Sequence, residues 1–161
     1  MTFKELISQC LTRGLKTGFV LAAATNAAIM LASDKENNAP WAALNCVAHI
    51  IDGDEKVQPT AYSPRESWLG IGVNGTAMCA WGVIYEGALL VTKTRSNLFT
   101  ALLGTAVAYF IDYKVVPPQF TPGIEKRVSH NAVLAAYAGI ALGFALSPLW
   151  NKPPRPNPTK P

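Results

Sequence analysis

Four stretches of the chain contain no Asp, Glu, Lys or Arg, and they dominate its pattern of hydrophobic and polar positions. They cover residues 17–33, 67–85, 96–111 and 128–151. The second stretch has 19 residues, which at about 1.5 Å per residue is enough for an α-helix to cross a hydrocarbon layer roughly 30 Å thick. A helix on the surface of a soluble domain needs only one apolar face, whereas this stretch is apolar on every face. The pattern therefore predicts membrane-spanning helices.

Capping signals refine the bounds of these helices. Ser63 followed by Pro64 and Glu66 is typical of a helix start, and Ser96 is predicted to cap the third span. The predicted spans cover residues 17–33, 67–91, 96–116 and 128–146. Residues 1–16 are amphipathic, and we interpret them as an extension of the first helix, with an interfacial anchor as the alternative.

The connection between the first two spans is acidic and contains one further predicted helix, residues 39–51. Pro40 lies near its first turn and Gly53 follows its end. Because thirteen residues cannot cross a bilayer, this helix is expected at the membrane interface. The predicted fold is an all-α integral membrane four-helix bundle with a short interfacial helix in the first external loop. It forms a single domain over residues 1–150, followed by a flexible Pro-rich tail at 151–161.

Composition and charge agree with a membrane location. Half of the residues are hydrophobic and only 15% are charged, against about 25% charged in soluble domains. Four spans place eight basic residues on the side of the chain termini and six on the other, which predicts cytoplasmic termini. The eight are Lys4, Arg13, Lys16, Lys93, Arg95, Lys152, Arg155 and Lys160. The three cysteines lie at different depths, so no disulfide framework, metal or cofactor is predicted.

Two carboxylates near the ends of the spans are candidates for an ion pathway, because ionisable residues in a membrane are often functional. Glu86 is expected near the cytoplasmic boundary, where Lys16 could pair with it. Asp112 is expected near the outer boundary, where it could meet Arg127 or His130. Interfacial ion pairing explains both carboxylates, and a proton or ion relay is the alternative.

Three further polar residues are candidates for a ligand site. Asn26 and Asn74 lie deep in their spans, where an amide needs a partner. A hydrogen bond between the first two helices is the simplest account, and a polar ligand between them is the alternative. His49 is close to Asp52 and Asp54, but this spacing matches no zinc pattern. We interpret His49 as an interfacial side chain, with a loose metal site as the alternative.

Small residues recur at four-residue spacing in the last two spans. They are Gly104 and Ala108 in the third span and Ala135, Gly139 and Gly143 in the fourth. Such residues let helix backbones approach closely in a bilayer. They predict helix packing within this chain, with an oligomer surface as the alternative.

Residues 112–129, DYKVVPPQFTPGIEKRVS, resemble a recurring stretch in a group of uncharacterised bacterial inner-membrane proteins. Residues 45–54, NCVAHIIDGD, followed by the capped helix at 63–81, resemble the same group more loosely. The resemblance implies a multi-span protein of the bacterial inner membrane. It implies no reaction, ligand or catalytic residue.

The sequence favours a non-catalytic accessory or interaction subunit of a membrane complex. The alternative is a component of a small-solute or ion transporter or channel that uses the polar residues of the spans. An enzyme that uses His49 and its acidic neighbours is a third hypothesis. The expected partners are the lipid bilayer and either another protein or a second copy of this chain, and no nucleic acid is expected.

Overall fold

The computed structural model describes residues 2–53 and 55–151 of the chain, and every regular element among them is helical. The helices are α1 Phe3–Asn37, α2 Ala42–Val47, α3 His49–Asp52, α4 Pro64–Thr92, α5 Leu98–Phe110 and α6 His130–Leu146. A π-helical turn extends α5 over Ile111–Val115, and 3₁₀ turns cover Pro118–Phe120, Ile124–Lys126 and Ser147–Leu149. The predicted all-α fold is confirmed. The predicted flexible tail lies beyond Asn151, outside the described residues.

Four of these helical segments are long and apolar enough to cross a membrane, as the charge-free stretches predicted. They are Phe3–Asn37, Pro64–Thr92, Leu98–Val115 and His130–Leu149, with 35, 29, 18 and 20 residues. α1 begins with a capping box at Thr2 and runs without a break through residues 3–37. The amphipathic residues before the first predicted span are therefore an extension of that helix.

The helices alternate in direction, so the bundle has two distinct ends. The termini end holds the start of α1, the turn at residues 93–97 and Asn151. The loop end holds the connections at residues 38–63 and 116–129. At the loop end, the Asn37 amide donates to the Arg127 carbonyl at 2.6 Å. At the termini end, the Ser96 hydroxyl donates to the Phe144 carbonyl at 2.7 Å.

The backbones of α1 and α4 are in direct contact near the termini end. A Cβ on Gly82 would overlap the Gly14 carbonyl oxygen, and a Cβ on Gly18 would overlap the Cys79 backbone. Because backbone atoms cannot rotate away, only glycine fits at these positions. The two backbones touch directly, which is the geometry that small residues allow in membrane helices.

The predicted small-residue positions divide into two groups. Ala108 is fully buried, a Cβ on Gly104 would lie 2.9 Å from Cδ2 of Tyr85, and a Cβ on Gly143 would overlap a Leu21 methyl group. Ala135 is exposed, and a Cβ on Gly139 would have no neighbour within 4 Å. The first three positions pack within the chain. The last two face outward and leave the oligomer alternative open.

The predicted short helix between the first two spans is present over Ala42–Asp52, with a turn at Ala48 that divides it into α2 and α3. One local prediction was wrong. The N-cap of α5 is Asn97, whose side chain accepts from the Thr100 amide at 2.9 Å. Ser96 does not cap because its hydroxyl bonds the Tyr85 hydroxyl at 2.7 Å in addition to the Phe144 carbonyl. The Ser96 hydroxyl therefore bonds residues of α4 and α6 instead of the first turn of α5.

Candidate functional site

Glu86 lies at the contact between α1 and α4, and its side chain is fully buried. Arg13 donates to Oε2 through Nε at 3.0 Å and Nη2 at 2.9 Å. The Thr17 hydroxyl donates to Oε1 at 3.1 Å. Both carboxylate oxygens therefore have partners on α1, as a buried charge requires.

The predicted pairing of Glu86 with Lys16 was wrong. Arg13 and Thr17 are four residues apart and share one face of α1, which is the face that packs on α4. Lys16 is exposed, because it projects from another side of the helix. The position of Lys16 along α1 matches the depth of Glu86. The rotation of α1 about its axis, however, turns Arg13 and not Lys16 toward Glu86.

The last turn of the chain described by the structure covers this ion pair. Trp150 Nε1 donates to the Thr17 hydroxyl at 3.0 Å, and the Asn151 amide donates to it at 2.9 Å. The Asn151 amide also donates to the Arg13 carbonyl at 3.2 Å. Thr17 thus links the Trp150 and Asn151 side chains with Glu86 in one network. Such a network holds α1, α4 and the end of α6 in register.

The predicted hydrogen bond between the first two spans is present. Nδ2 of Asn74 donates to Oδ1 of Asn26 at 2.8 Å and to the Thr25 hydroxyl at 3.0 Å. The Thr25 hydroxyl itself donates to the Leu21 carbonyl at 2.8 Å. The asparagines therefore join α1 to α4 about halfway along their contact.

Asp112 lies in the π-helical turn after α5 and faces α6. The Tyr137 hydroxyl donates to Oδ2 of Asp112 at 2.6 Å. The predicted contact with Arg127 or His130 was wrong. Arg127 instead donates to the Gln58 carbonyl at 3.3 Å. A π-helical turn changes the direction of the side chains that follow it, which the sequence pattern does not show.

Asn74, Asp112 and Tyr137 line one cavity of about 80 Å³ that opens toward the loop end. Most of its remaining wall is apolar, including Ile29 and Ile140. Sites for small molecules have volumes of about 300 Å³ or more, whereas a single water needs only about 10–15 Å³ of such space. This cavity therefore suits a few water molecules and is too small for a solute.

His49 is buried at the loop end and is not in contact with that cavity. Its Nδ1 lies 2.7 Å from the Cys46 carbonyl. Gly123, at a φ of +73°, packs so closely on the imidazole that a Cβ there would lie 2.7 Å from Nδ1. His49 is the first residue of α3 and is buried, so the interfacial position next to a helix-ending loop stays a prediction.

Asp52 belongs to an ionic network with three other charged residues. Arg65 Nη2 lies 2.6 Å from Oδ1 of Asp52, and Lys56 Nζ lies 2.9 Å from Oδ2. Both cations also contact Glu66, at 3.2 Å and 2.9 Å. The hydrogen bonds from Arg65, and then from Lys56, hold the pKa of Asp52 well below its usual range. Its carboxylate is therefore occupied by these cations.

The alternative of a metal site near His49 has no support among residues 2–53 and 55–151. No three His, Cys, Asp or Glu side chains in that part of the chain are grouped to hold a metal ion. Asp54, the third suggested ligand, lies outside the described residues.

The backbone contact that Gly14 and Gly18 of α1 make with Gly82 and its neighbours on α4 was not predicted from the sequence. Its signal was present as the small-xxx-small pattern GLKTG at residues 14–18. Placing the start of the first span at Thr17 left Gly14 outside the membrane segment and concealed the motif. With the full length of α1 known, the motif belongs to the spanning helix.

Comparison with known proteins identified no relative. The chain matches no protein-family model, no curated protein and no solved structure. The four long apolar helices indicate a membrane protein. Any more specific function must come from the geometry of the site.

Proposed function

We propose that this protein is a non-catalytic accessory or interaction subunit of a complex in the bacterial inner membrane. The observation that carries the proposal is that the polar residues of the spans selected as site candidates have hydrogen-bond partners within the chain. Glu86 is held by α1, Asp112 by Tyr137, and Asn74 by Asn26. A transport or catalytic site needs such groups to face a path for a solute. The 80 Å³ cavity gives little room for one.

The outward surface of the bundle supports a role in binding partners. In the third span only 17% of the residues are buried within the chain. On α6, Ala135 and Gly139 face outward. Small outward residues let a helix of another subunit approach closely. We therefore place the partner contact on α6.

The bacterial inner membrane and cytoplasmic termini are also parts of this proposal. The location is supported by the resemblance of residues 112–129 to bacterial inner-membrane proteins. The orientation is supported by the excess of basic residues on the side of the termini. A reporter fused to the C-terminus should be active only when it folds in the cytoplasm.

The test is purification of the full chain, expressed at its native level, in a mild detergent. We expect a larger membrane protein to co-purify in stoichiometric amount. Gly139→Leu should reduce its recovery at least fivefold, because the added side chain separates the two helices. Gly72→Leu is the matched control, since Gly72 also has open space at its Cβ position but lies on α4. Recovery of the chain alone, or equal recovery with both variants, would contradict the proposal.

The alternative of a transporter or channel component is favoured by one observation. Asn74 and Asp112, both selected from the sequence as candidates, line the same cavity. If the cavity widens to pass an ion, Asp112→Asn should reduce a proton-coupled flux in proteoliposomes at least tenfold. Glu86→Gln tests the same idea at the other end of the bundle. Unchanged flux with both variants would leave the accessory role as the better account.

A further inference from the structure

The lipid-facing side of α4 and α5 contains an apolar groove of about 410 Å³. Tyr85 and Phe144 form its floor, with ring centroids 4.0 Å apart and planes 14° from parallel. Leu103 and Ala88 lie along its walls. The groove runs within the spanning segments, so the surrounding phase is hydrocarbon. A flexible methylene chain is the occupant that such a surface fits.

A second cavity of about 530 Å³ lies at the termini end, where the spans finish. Three cations line it: Arg13, Lys93 and Arg95. Glu86 neutralises Arg13. Within residues 2–53 and 55–151, neither Lys93 nor Arg95 has an ion pair. The cavity therefore keeps an excess of two positive charges at the depth of lipid headgroups.

The two cavities are adjacent, because Leu89 and Thr94 line both of them. Lys93 is held between them at the end of α4, where its backbone has a φ of 55° and its N–H bonds the Leu89 carbonyl. An apolar groove inside the membrane thus leads directly to a basic cavity at the membrane boundary. An anionic phospholipid has the same arrangement, with its acyl chain inside the membrane and its phosphate at the membrane boundary.

We propose that the groove and the basic cavity together bind one anionic phospholipid. Its phosphate lies against Lys93 and Arg95, and one acyl chain follows the groove past Tyr85. Basic pockets at the ends of membrane helices are typical sites for anionic headgroups. Arginine and lysine both suit phosphate oxygens, arginine through two parallel hydrogen bonds. The inference requires insertion in a membrane but not the accessory role.

Native mass spectrometry of the delipidated full chain tests this site. The probes are dioleoyl phosphatidylglycerol, dioleoyl phosphatidylcholine and soluble glycerol 3-phosphate. We expect one tightly bound copy of phosphatidylglycerol. Each cation near a headgroup contributes about fivefold in affinity. The double variant Lys93→Asn and Arg95→Gln should therefore bind this lipid roughly thirtyfold more weakly. Asparagine is chosen because it tolerates the left-handed conformation of residue 93.

Matched variants separate this site from general attraction. Lys4→Gln with Lys16→Gln removes the same charge from exposed positions on α1 at the same end, and should leave binding unchanged. Ala88→Phe fills the groove from an exposed position and should weaken phosphatidylglycerol binding at least fivefold. Ala138→Phe makes the same change on the exposed face of α6 and should have no effect.

Three results would overturn the proposal. The first is equal loss with the Lys4 and Lys16 control, which would show non-specific electrostatic attraction. The second is full binding by the Ala88→Phe variant, which would leave the groove without a role. The third is displacement of the lipid by glycerol 3-phosphate at equal concentration, which would identify a site for a soluble anion.

Discussion

The two ends of the bundle both contain ion pairs, but they stabilise the structure in different ways. At the termini end, Glu86 is fully buried and its partner Arg13 is 25% exposed. At the loop end, Asp52 is held by Arg65 and Lys56, whose side chains are 54% and 44% exposed. Water and salt screen the loop-end network more strongly than the pair of Arg13 and Glu86. Ion pairs therefore depend less on solvent and salt at the termini end than at the loop end.

The difference teaches how a lipid-embedded bundle can hold a charge. Glu86 lies one turn from Gly82, where the α1 and α4 backbones touch. This close approach excludes lipid and water, so the carboxylate depends on Arg13 and Thr17. The loop end also has a close backbone contact, between Gly70 of α4 and Leu44 of α2, but the cations that hold its carboxylates are about half exposed. Close backbone packing and the buried ion pair therefore act as one unit.

The largest expected effect is on the backbone contact itself. Gly82→Leu should lower the free energy of unfolding by about 3 kcal/mol, because the new side chain meets the backbone of α1, which cannot move aside. Unfolding by sodium dodecyl sulfate in mixed micelles, followed by circular dichroism, measures this. Gly72→Leu on the same helix meets open space and should change stability little. Equal effects would show that the contact does not stabilise the bundle.

The next effect concerns the buried ion pair. Glu86→Gln should destabilise the chain by about 2 kcal/mol, below the roughly 3–5 kcal/mol typical of a fully buried pair because Arg13 is partly exposed. The double variant Arg13→Gln and Glu86→Gln should recover part of this loss, since no uncompensated charge remains. The same unfolding assay applies. A double variant that is as unstable as the sum of the two single variants would refute the coupling.

A smaller effect is expected for the asparagine pair, which lies between the two ends. A double-mutant cycle of Asn26→Ala and Asn74→Ala should give a coupling of about 0.6 kcal/mol, the average for hydrogen bonds between membrane helices. The Thr25 hydroxyl remains as a second partner for Asn74 and limits the loss. A coupling above about 2 kcal/mol would show that this bond, and not the glycine contact, dominates.

The smallest effect is a pH dependence at the loop end. The pKa of Asp52 is lowered in the folded protein by Arg65 and Lys56. Its contribution is therefore fully present above the ordinary aspartate pKa of about 4 and is lost as the pH falls below it toward the folded value. Limited proteolysis of the 53–63 connection between pH 6 and pH 3 should show increasing cleavage. Asp52→Asn should show a smaller change with pH, because Glu66 still titrates in this range. The pKa of Glu66 is also lowered, by its hydrogen bonds from Ser63 and Lys56. The variant should also respond less to added salt.

The sequence by itself determined the class of protein and the number of spans. Hydrophobicity along a helix is a local property, and it is compared with a bilayer thickness that does not depend on the fold. The hydrogen bond between Asn26 and Asn74 was also predictable, because an amide deep in a span needs a partner at the same depth.

Only the tertiary structure decided which side chains meet. Arg13 rather than Lys16 reaches Glu86, and Tyr137 rather than Arg127 reaches Asp112. Both choices depend on how each helix is rotated about its axis, and that rotation results from all of its contacts together. The adjacency of the apolar groove and the basic cavity likewise requires α4, α5 and α6 in place. The depth of a side chain in the membrane follows from its position in the sequence. The direction in which it points follows from the packing of its helix.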